Sequence, residues 1–299
     1  MQTTNHTVLC SLPVRQPFDW QASLAFLRAF PAMQGEQTLA GDRVVKAWRI
    51  GDQTVLARVS WDDTGTGALR CELGSVEALP DQVVAAALDR IGFFLSVDDD
   101  LAPFYTAATS DPAFAPLVAR LRGYHQVKLP SVLENICWAV LAQRAPMAAA
   151  RAMKARLVGY FDNDVAGWGG THRPFPSLEQ LAGLPAETLS ELVRHARKSS
   201  YLHGCVAALT TVDENFLRHG DYEQVRAWLL GLPGIGPWSA SFVLIRGLGR
   251  MERAPQDPEG LKAASAVYGR PIDEREFHEL AAHYGDHQGY WAHYLRVGG

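Results

Sequence analysis

Leu232-Pro-Gly-Ile-Gly-Pro-Trp-Ser-Ala-Ser-Phe-Val-Leu-Ile-Arg246 reads as a tight Gly-Pro turn that runs straight into an apolar helix. Ahead of it, Tyr222, Val225, Trp228 and Leu229 recur at helical spacing, which predicts a helix from Tyr222 to Leu230 with Gly231 as its terminator. Beyond it, Trp238, Phe242, Val243 and Ile245 mark a second helix. Pro237 falls in the first turn of that helix, where its missing N–H would have had no intrahelical partner. Gly234 and Gly236 can take backbone angles that other residues avoid, and they leave the N–H groups at the helix start uncovered by side chains. Such a turn can hold an anion, and a nucleic-acid phosphate is the obvious one.

Gly234-Ile-Gly236 also matches the opening of a dinucleotide-binding fingerprint, but that motif follows a β-strand and this turn follows a helical pattern. On the turn alone, an ordinary αα-hairpin stays open as an alternative. The chain then runs Arg253-Ala-Pro-Gln-Asp-Pro-Glu-Gly-Leu-Lys262, a Gly/Pro-rich loop that carries Asp257. Hairpin, loop and aspartate together resemble the helix-hairpin-helix DNA glycosylase superfamily, whose aspartate stands close to this distance from the hairpin. Trp138-Ala-Val-Leu-Ala-Gln-Arg-Ala-Pro146 followed by Ala148-Ala-Ala-Arg-Ala-Met153 is similar to the helix–loop–helix that precedes the hairpin in that superfamily. Pro17-Phe-Asp-Trp20 and the sheet-rich start resemble the extra N-terminal domain of its alkylation-repair branch, the DNA-3-methyladenine glycosylase II type. The resemblance covers nearly the whole chain. It is strongest from about 130 to 260 and loosest at the C-terminus.

With 299 residues, 47% of them hydrophobic, the chain can bury a sizeable core in one large domain or two. No stretch approaches a membrane span and no basic region precedes a long apolar run, so a cytoplasmic protein is expected, nucleoid-associated in a prokaryote. Cys10, Cys71, Cys137 and Cys205 are scattered without metal-ligand spacing, which excludes a clustered iron–sulfur site and leaves isolated thiols. A net charge of −4 argues against binding nucleic acid by bulk attraction, although main-chain N–H groups at a hairpin need less basic charge. Arg144, Arg151, Lys154, Arg156, Arg194, Arg197 and Lys198 make the middle of the chain its most basic part.

Residues 1–105 read as an α+β antiparallel-sheet domain. Strand signals at Val8–Leu12, Val44–Ile50, Val55–Trp61 and Leu69–Leu73 are separated by Gly/Asp turns, with helices predicted from Asp19 or Trp20 to Phe30 and from Asp81 to Leu95. Asp98-Asp-Asp100 reads as a turn and helix N-cap rather than a metal site. After about residue 100 the strand signals vanish, so 106–299 is predicted to be an all-helical domain that contains the hairpin at 222–248. Helices are expected at 101–109 and 112–121, from a Ser131/Glu134 capping box to Gln143, over 147–160, from Ser177, over 186–197, from Ser199, and near 259–268 and 273–284. The fold class is mostly α with an α+β N-terminal part.

The resemblance implies excision of a damaged base. Breaking an N-glycosidic bond builds positive charge on the deoxyribose, so the useful group is a carboxylate beside that sugar; Asp257 is the candidate. Asp257-Pro258-Glu259 is equally a good helix start, and a cap bond is compatible with catalysis because it would hold the carboxylate in place. Glycosylases that also cleave the strand carry a lysine where this chain has Trp238, which implies a monofunctional hydrolase. Trp238 would then help line the base pocket, where an aromatic face suits cationic alkylated purines; the alternative is a core tryptophan. Phe242 and Phe26 match pocket-lining positions of the alkylation branch, with core packing as their alternative, and Tyr290 and Trp291 are candidate further walls. A few positions later the family usually has an aromatic residue where this chain has Arg296, which leaves the pocket's shape open.

Gly234 and Gly236 are implied to contact DNA, as is Gln143-Arg-Ala-Pro146, the segment that fills the gap left by a flipped base. Arg144 there is either an inserted side chain or a solvated loop arginine. Main-chain carbonyls of Leu230, Leu232 and Ile235 match those that hold a monovalent cation in the family hairpin; no other cofactor and no iron–sulfur cluster is implied. The expected partner of this monomer is double-stranded DNA containing damaged bases, and not a membrane. The rival readings are the same scaffold acting on deaminated or oxidised bases, and a non-catalytic helix-hairpin-helix DNA-binding protein.

Overall fold

The computed structural model describes residues 2–30, 33 and 35–298. Strands β1 (Gln2–Thr3) and β2 (His6–Pro13) precede helix α1 (Trp20–Ala29), whose N-cap Asp19 accepts the Ala22 N–H at 3.0 Å. Strands β3 (Thr38–Ala40), β4 (Arg43–Ile50), β5 (Gln53–Trp61) and β6 (Ala68–Ser75) follow, then α2 (Asp81–Leu95), α3 (Ala102–Ala108) and α4 (Ala115–Arg120). The larger sheet has the order β2-β6-β5-β4-β3 and is antiparallel throughout. Its two faces follow from strand alternation. Val44, Trp48, Val55, Ala57 and Val59 pack with α1 and α2, whereas Val45, Ala47 and Leu56 point the other way.

That other face is covered by a feature the sequence pattern did not predict. The second half of the chain is helical except for β7 (Val165–Gly167) and β8 (Gly170–His172), a ribbon that pairs with β1. Val165 packs on Val45, Ala47 and Leu56, and Arg58 lies 4.7 Å over the ring of Trp168 in the ribbon's turn. Three-residue strands are shorter than any period that could announce them.

The remaining helices are α5 (Val132–Ala142), α6 (Met147–Gly159), α7 (Leu178–Ala182), α8 (Ala186–Val193), α9 (Ala196–Leu209), α10 (Glu214–His219), α11 (Tyr222–Leu230), α12 (Pro237–Leu248), α13 (Pro258–Tyr268), α14 (Glu274–Ala282) and α15 (Gln288–Gly298). The single helix expected over 186–197 is broken, because Arg194 takes a left-handed φ of 55° and His195 caps α9. Helix α5 is buried from Leu133 to Leu141 and forms the axis of one lobe, with α8, α9, α11 and α12 around it. It meets α12 closely at Gly247, where an added Cβ would lie 2.9 Å from that of Asn135. A second lobe is built from α3, α4, α13, α14 and α15.

Ser131 caps α5 by accepting the Glu134 N–H at 3.1 Å, but the expected capping box is only half formed. The Glu134 carboxylate turns inward to Lys154 Nζ at 2.8 Å, and Lys154 also pairs with Glu36, which lies 3.8 Å from Lys46 of β4. Lys46, Glu134 and Lys154 are all buried, so this network ties the sheet to the helical lobe through charge. Burial alone raises the Glu134 carboxyl, and the opposing pull of Lys154, helped by Lys46, carries it down to about 2. Both box halves do form at α7, between Ser177 and Gln180.

Candidate active site

The hairpin folds as its sequence predicts. Gly231 ends α11, Gly236 is the extended N-cap of α12, and Pro237 occupies the first turn without any side-chain cap over the N–H groups. Gly234 is the position that cannot change: its φ is +77°, and a Cβ there would lie 2.2 Å from the Tyr201 ring. Gly234→Ala is expected to destabilise the protein by about 2–4 kcal/mol, read from denaturant unfolding, and Tyr201→Ala should restore part of that in the double variant. Gly236 has open space where its Cβ would be, so its value lies in leaving the helix start bare.

Gln143 does not reach outward. Its Nε2 donates to the Gly234 carbonyl at 2.6 Å and approaches Ser239 Oγ at 3.4 Å, so it fastens the loop after α5 to the hairpin turn. Arg144 beside it is exposed and takes a left-handed φ of 46°. The mid-chain basic residues are less available than their sequence suggests. Lys154 is buried in the ion network, Lys198 donates to the Leu141 carbonyl, and Arg156 donates to Leu192 at 2.7 Å and Val193 at 3.3 Å.

Of the proposed cation ligands, the Leu232 carbonyl accepts the Ile235 N–H at 3.1 Å and keeps a second lone pair. No cluster of three or more His, Cys, Asp or Glu side chains able to hold a metal occurs among the described residues.

Beneath the hairpin a cleft of roughly 700 Å³ opens between the lobe of α11 and α12 and that of α13–α15. Trp238 stands at its mouth, 57% exposed and stacked on Phe242 with ring centroids 5.4 Å apart and 6° between planes. Trp238 is therefore not a core residue: a tryptophan left open to water on a rigid helix offers a flat face to a ligand. Asp257 lines the same cleft and caps α13, its Oδ1 accepting the Gly260 N–H at 2.8 Å. Arg296 reaches from α15 to the same Oδ1 at 2.9 Å and to the Pro255 carbonyl at 3.0 Å. Among the described residues Oδ2 has no protein partner, so one carboxylate oxygen is anchored and the other is free.

The remaining aromatic candidates divide. Phe26 does not line the cleft; it stacks on Phe30 at 4.8 Å, and Phe30 is the residue that does. Tyr290 and Trp291 are 2% and 0% exposed in the core of the second lobe, where Tyr290 OH donates to Asp99 and Trp291 Nε1 donates to Tyr268 OH at 3.2 Å. Neither is a wall of the cleft. Their place is taken by residues the sequence did not single out, Arg246, Arg253, His278 and His293, and Arg296, noted there only as a departure, joins them. The cleft is thus basic although the chain is acidic.

Burial, then Arg246 and Arg296, hold the His293 pKa well below 6.5, so it is neutral when folded. The unfolded chain binds the extra proton below pH 6.5, and stability must fall as pH drops from there. Replacing His293 with Phe should remove up to about 1.4 kcal/mol per pH unit from the slope of stability between pH 5 and 6, measured by denaturant unfolding.

A helical cleft of this form, with a hairpin at its lip, has the fold of the helix-hairpin-helix DNA glycosylases. The chain superposes on the 3-methyladenine DNA glycosylase of Archaeoglobus fulgidus with a TM-score of 0.77, at 20% identity and covering 96% of this chain and 97% of that one. In sequence it is 27% identical over 207 residues to the DNA-3-methyladenine glycosylase of Bacillus subtilis, covering 68% of each chain. It is also 29% identical over 282 residues to a probable bifunctional transcriptional activator/DNA repair enzyme AlkA of Mycobacterium tuberculosis, covering 90% of this chain and 52% of that one. The chain therefore spans about half the length of the mycobacterial relative. No protein-family model matches it. Among the superfamily's branches, these relatives support the alkylation-repair type.

Proposed function

We propose that this chain is a monofunctional DNA glycosylase of base excision repair, which flips alkylated bases out of duplex DNA and hydrolyses their N-glycosidic bond. The observation that carries this reading is Asp257, whose anchored Oδ1 leaves Oδ2 free in a cleft that also presents the Trp238–Phe242 stack. The flipped base lies against the exposed Trp238 face, which places its sugar near the carboxylate. As the bond breaks, positive charge grows on the deoxyribose; a carboxylate about 4 Å away stabilises it by on the order of 4 kcal/mol at an effective dielectric near 20. Asp257 also orients the attacking water. The bare N–H groups at the start of α12 take a DNA phosphate, and Arg144, exposed in the loop after α5, enters the gap in the stack.

Carbonyls of Leu230, Leu232 and Ile235 would hold a monovalent cation in the hairpin, supplying positive charge near that phosphate. The enzyme works where the genome is, in the cytoplasm or nucleoid. No helix among the described residues is long and apolar enough to cross a membrane.

A release assay over duplexes that each carry one damaged base tests the activity. Release of alkylated purines is expected, and binding to every duplex with release from none would favour a DNA-binding module instead. The chemistry has its own test, because Trp238 cannot form a Schiff base with the sugar. Borohydride added during turnover should trap no covalent complex on denaturing gels, and a trapped species would place a lyase nucleophile elsewhere in the cleft.

A further inference from the structure

Three stretches of this acidic chain contain no Asp or Glu at all: residues 135–161, 192–212 and 224–251. The fold brings them together around the hairpin. Gln143 Nε2 donates to the Gly234 carbonyl, Lys198 Nζ donates to the Leu141 carbonyl, and the Tyr201 ring lies against Gly234. Of the carboxylates that bound these stretches, Glu134, Glu223 and Glu252 are held by Lys154, Arg226 and Arg250, and Glu191 pairs with neither Arg194 nor Arg197 among the described residues.

The cations gathered there are unusual for this protein. Across the described residues every Lys and Arg side chain has an ion pair, a hydrogen bond or a ring contact except Arg90, Arg144, Arg194, Arg197 and Lys262. Arg144, Arg194 and Arg197 all stand in the acid-free stretches, and all three are exposed. A local surplus of unpaired positive charge on a chain of net charge −4 selects a polyanion as its partner.

Helix α9 sets where two of these cations stand. Arg197, Tyr201 and Gly204 fall at i, i+4 and i+7, on one stripe of that helix. The stripe packs on the hairpin turn: a Cβ on Gly204 would lie 2.7 Å from the Pro233 ring, and Cys205 Sγ beside it donates to the Pro233 carbonyl at 3.4 Å. Arg197 begins the stripe, about 6 Å along the axis from Tyr201 at a rise of about 1.5 Å per residue. That offset is about two phosphate steps along one DNA strand, which repeat at about 3.4 Å. Arg194 precedes it at the end of α8, with its left-handed φ of 55°.

We propose that Arg194 and Arg197 hold duplex DNA by its phosphates, as a second backbone contact beside the bare N–H groups of the hairpin and independent of any damaged base. This deepens the glycosylase reading and rests on it. Phosphate contacts fix register without reading sequence, so the contact serves undamaged and damaged duplex alike.

Binding of the full chain to an undamaged duplex would be followed by fluorescence anisotropy over a range of salt concentrations, for the parent, Arg194→Gln, Arg197→Gln, their double variant and Arg197→Lys. Arg43→Gln, an exposed arginine on β4, is the control. Each glutamine variant should reduce the slope of log K against log salt by about 0.9 and the double variant by about twice that, as expected for one phosphate per arginine. Arg197→Lys should keep the parental slope, because a phosphate needs the charge, and so should Arg43→Gln. A double variant whose slope stays within about half a unit of the parent's, or an Arg43→Gln slope that falls as far as theirs, overturns the assignment. Release of alkylated bases by the parent reports separately on the chemistry: a parent that binds duplex but releases nothing defeats the glycosylase reading and leaves the salt slopes to decide the contact.

Discussion

Asp257→Asn should lower the single-turnover rate of alkylated-base release by about 10²–10³-fold while leaving duplex binding within a few-fold of the parent. Asparagine is nearly as good an N-cap as aspartate, so the bond to the Gly260 N–H can be kept and the start of α13 preserved. What disappears is the negative charge that faces the deoxyribose as it becomes cationic. The upper figure corresponds to about 4 kcal/mol, the same scale as the Coulomb term expected for a carboxylate beside the sugar. Asp257→Ala is the useful companion, because it should add a stability loss of about 1 kcal/mol from the missing cap. If the asparagine variant released bases at the parental rate, the catalytic role would belong to another residue.

The second large effect lies far from the cleft. Lys154→Met should destabilise the protein by about 3–5 kcal/mol, because it leaves Glu134 and Glu36 buried without their shared cation. For a chain of this length that corresponds to a fall in Tm on the order of 10 °C, provided unfolding is a single transition. The informative comparison is Lys154→Met combined with Glu134→Leu, Glu36→Leu and Lys46→Met, so that no charge of the network is left alone, since a buried ion network can be replaced by apolar side chains at little cost. Recovery of most of the lost Tm in this combined variant is expected. A single variant that melts with the parent would mean that water already reaches the network.

Helical spacing and turn chemistry made the hairpin legible, because α11 and α12 each bury one stripe and end on glycine or proline signals that mean the same thing in any context. Helix α15 was not legible for the opposite reason. It is buried from Gly289 to Leu295, on every side, so no polar face interrupts the pattern and Tyr290 and Trp291 look like residues free to line a pocket. The same burial brings His293 and Arg296 to the cleft, a consequence of packing between distant segments that spacing cannot express. Glu134 misled in another way: local sequence favours a capping box, and a lysine twenty residues later in the fold's interior outbids it. Arg296 was visible only as a departure from an expected aromatic, and its bond to Asp257 gives that departure a use.

The pairing of Gln2–Thr3 with Val165–Ala166 has a consequence for how the molecule comes into being. On a ribosome, the five strands of the larger sheet are complete once residue 75 has emerged, yet β1 must wait for β7 and then close a very long loop, a contact that forms late. Until then the face made by Val45, Ala47 and Leu56 lacks its cover, and an uncovered apolar sheet is the kind of surface that draws chaperones or aggregates. The small ribbon thus sets the moment at which the nascent chain becomes safe.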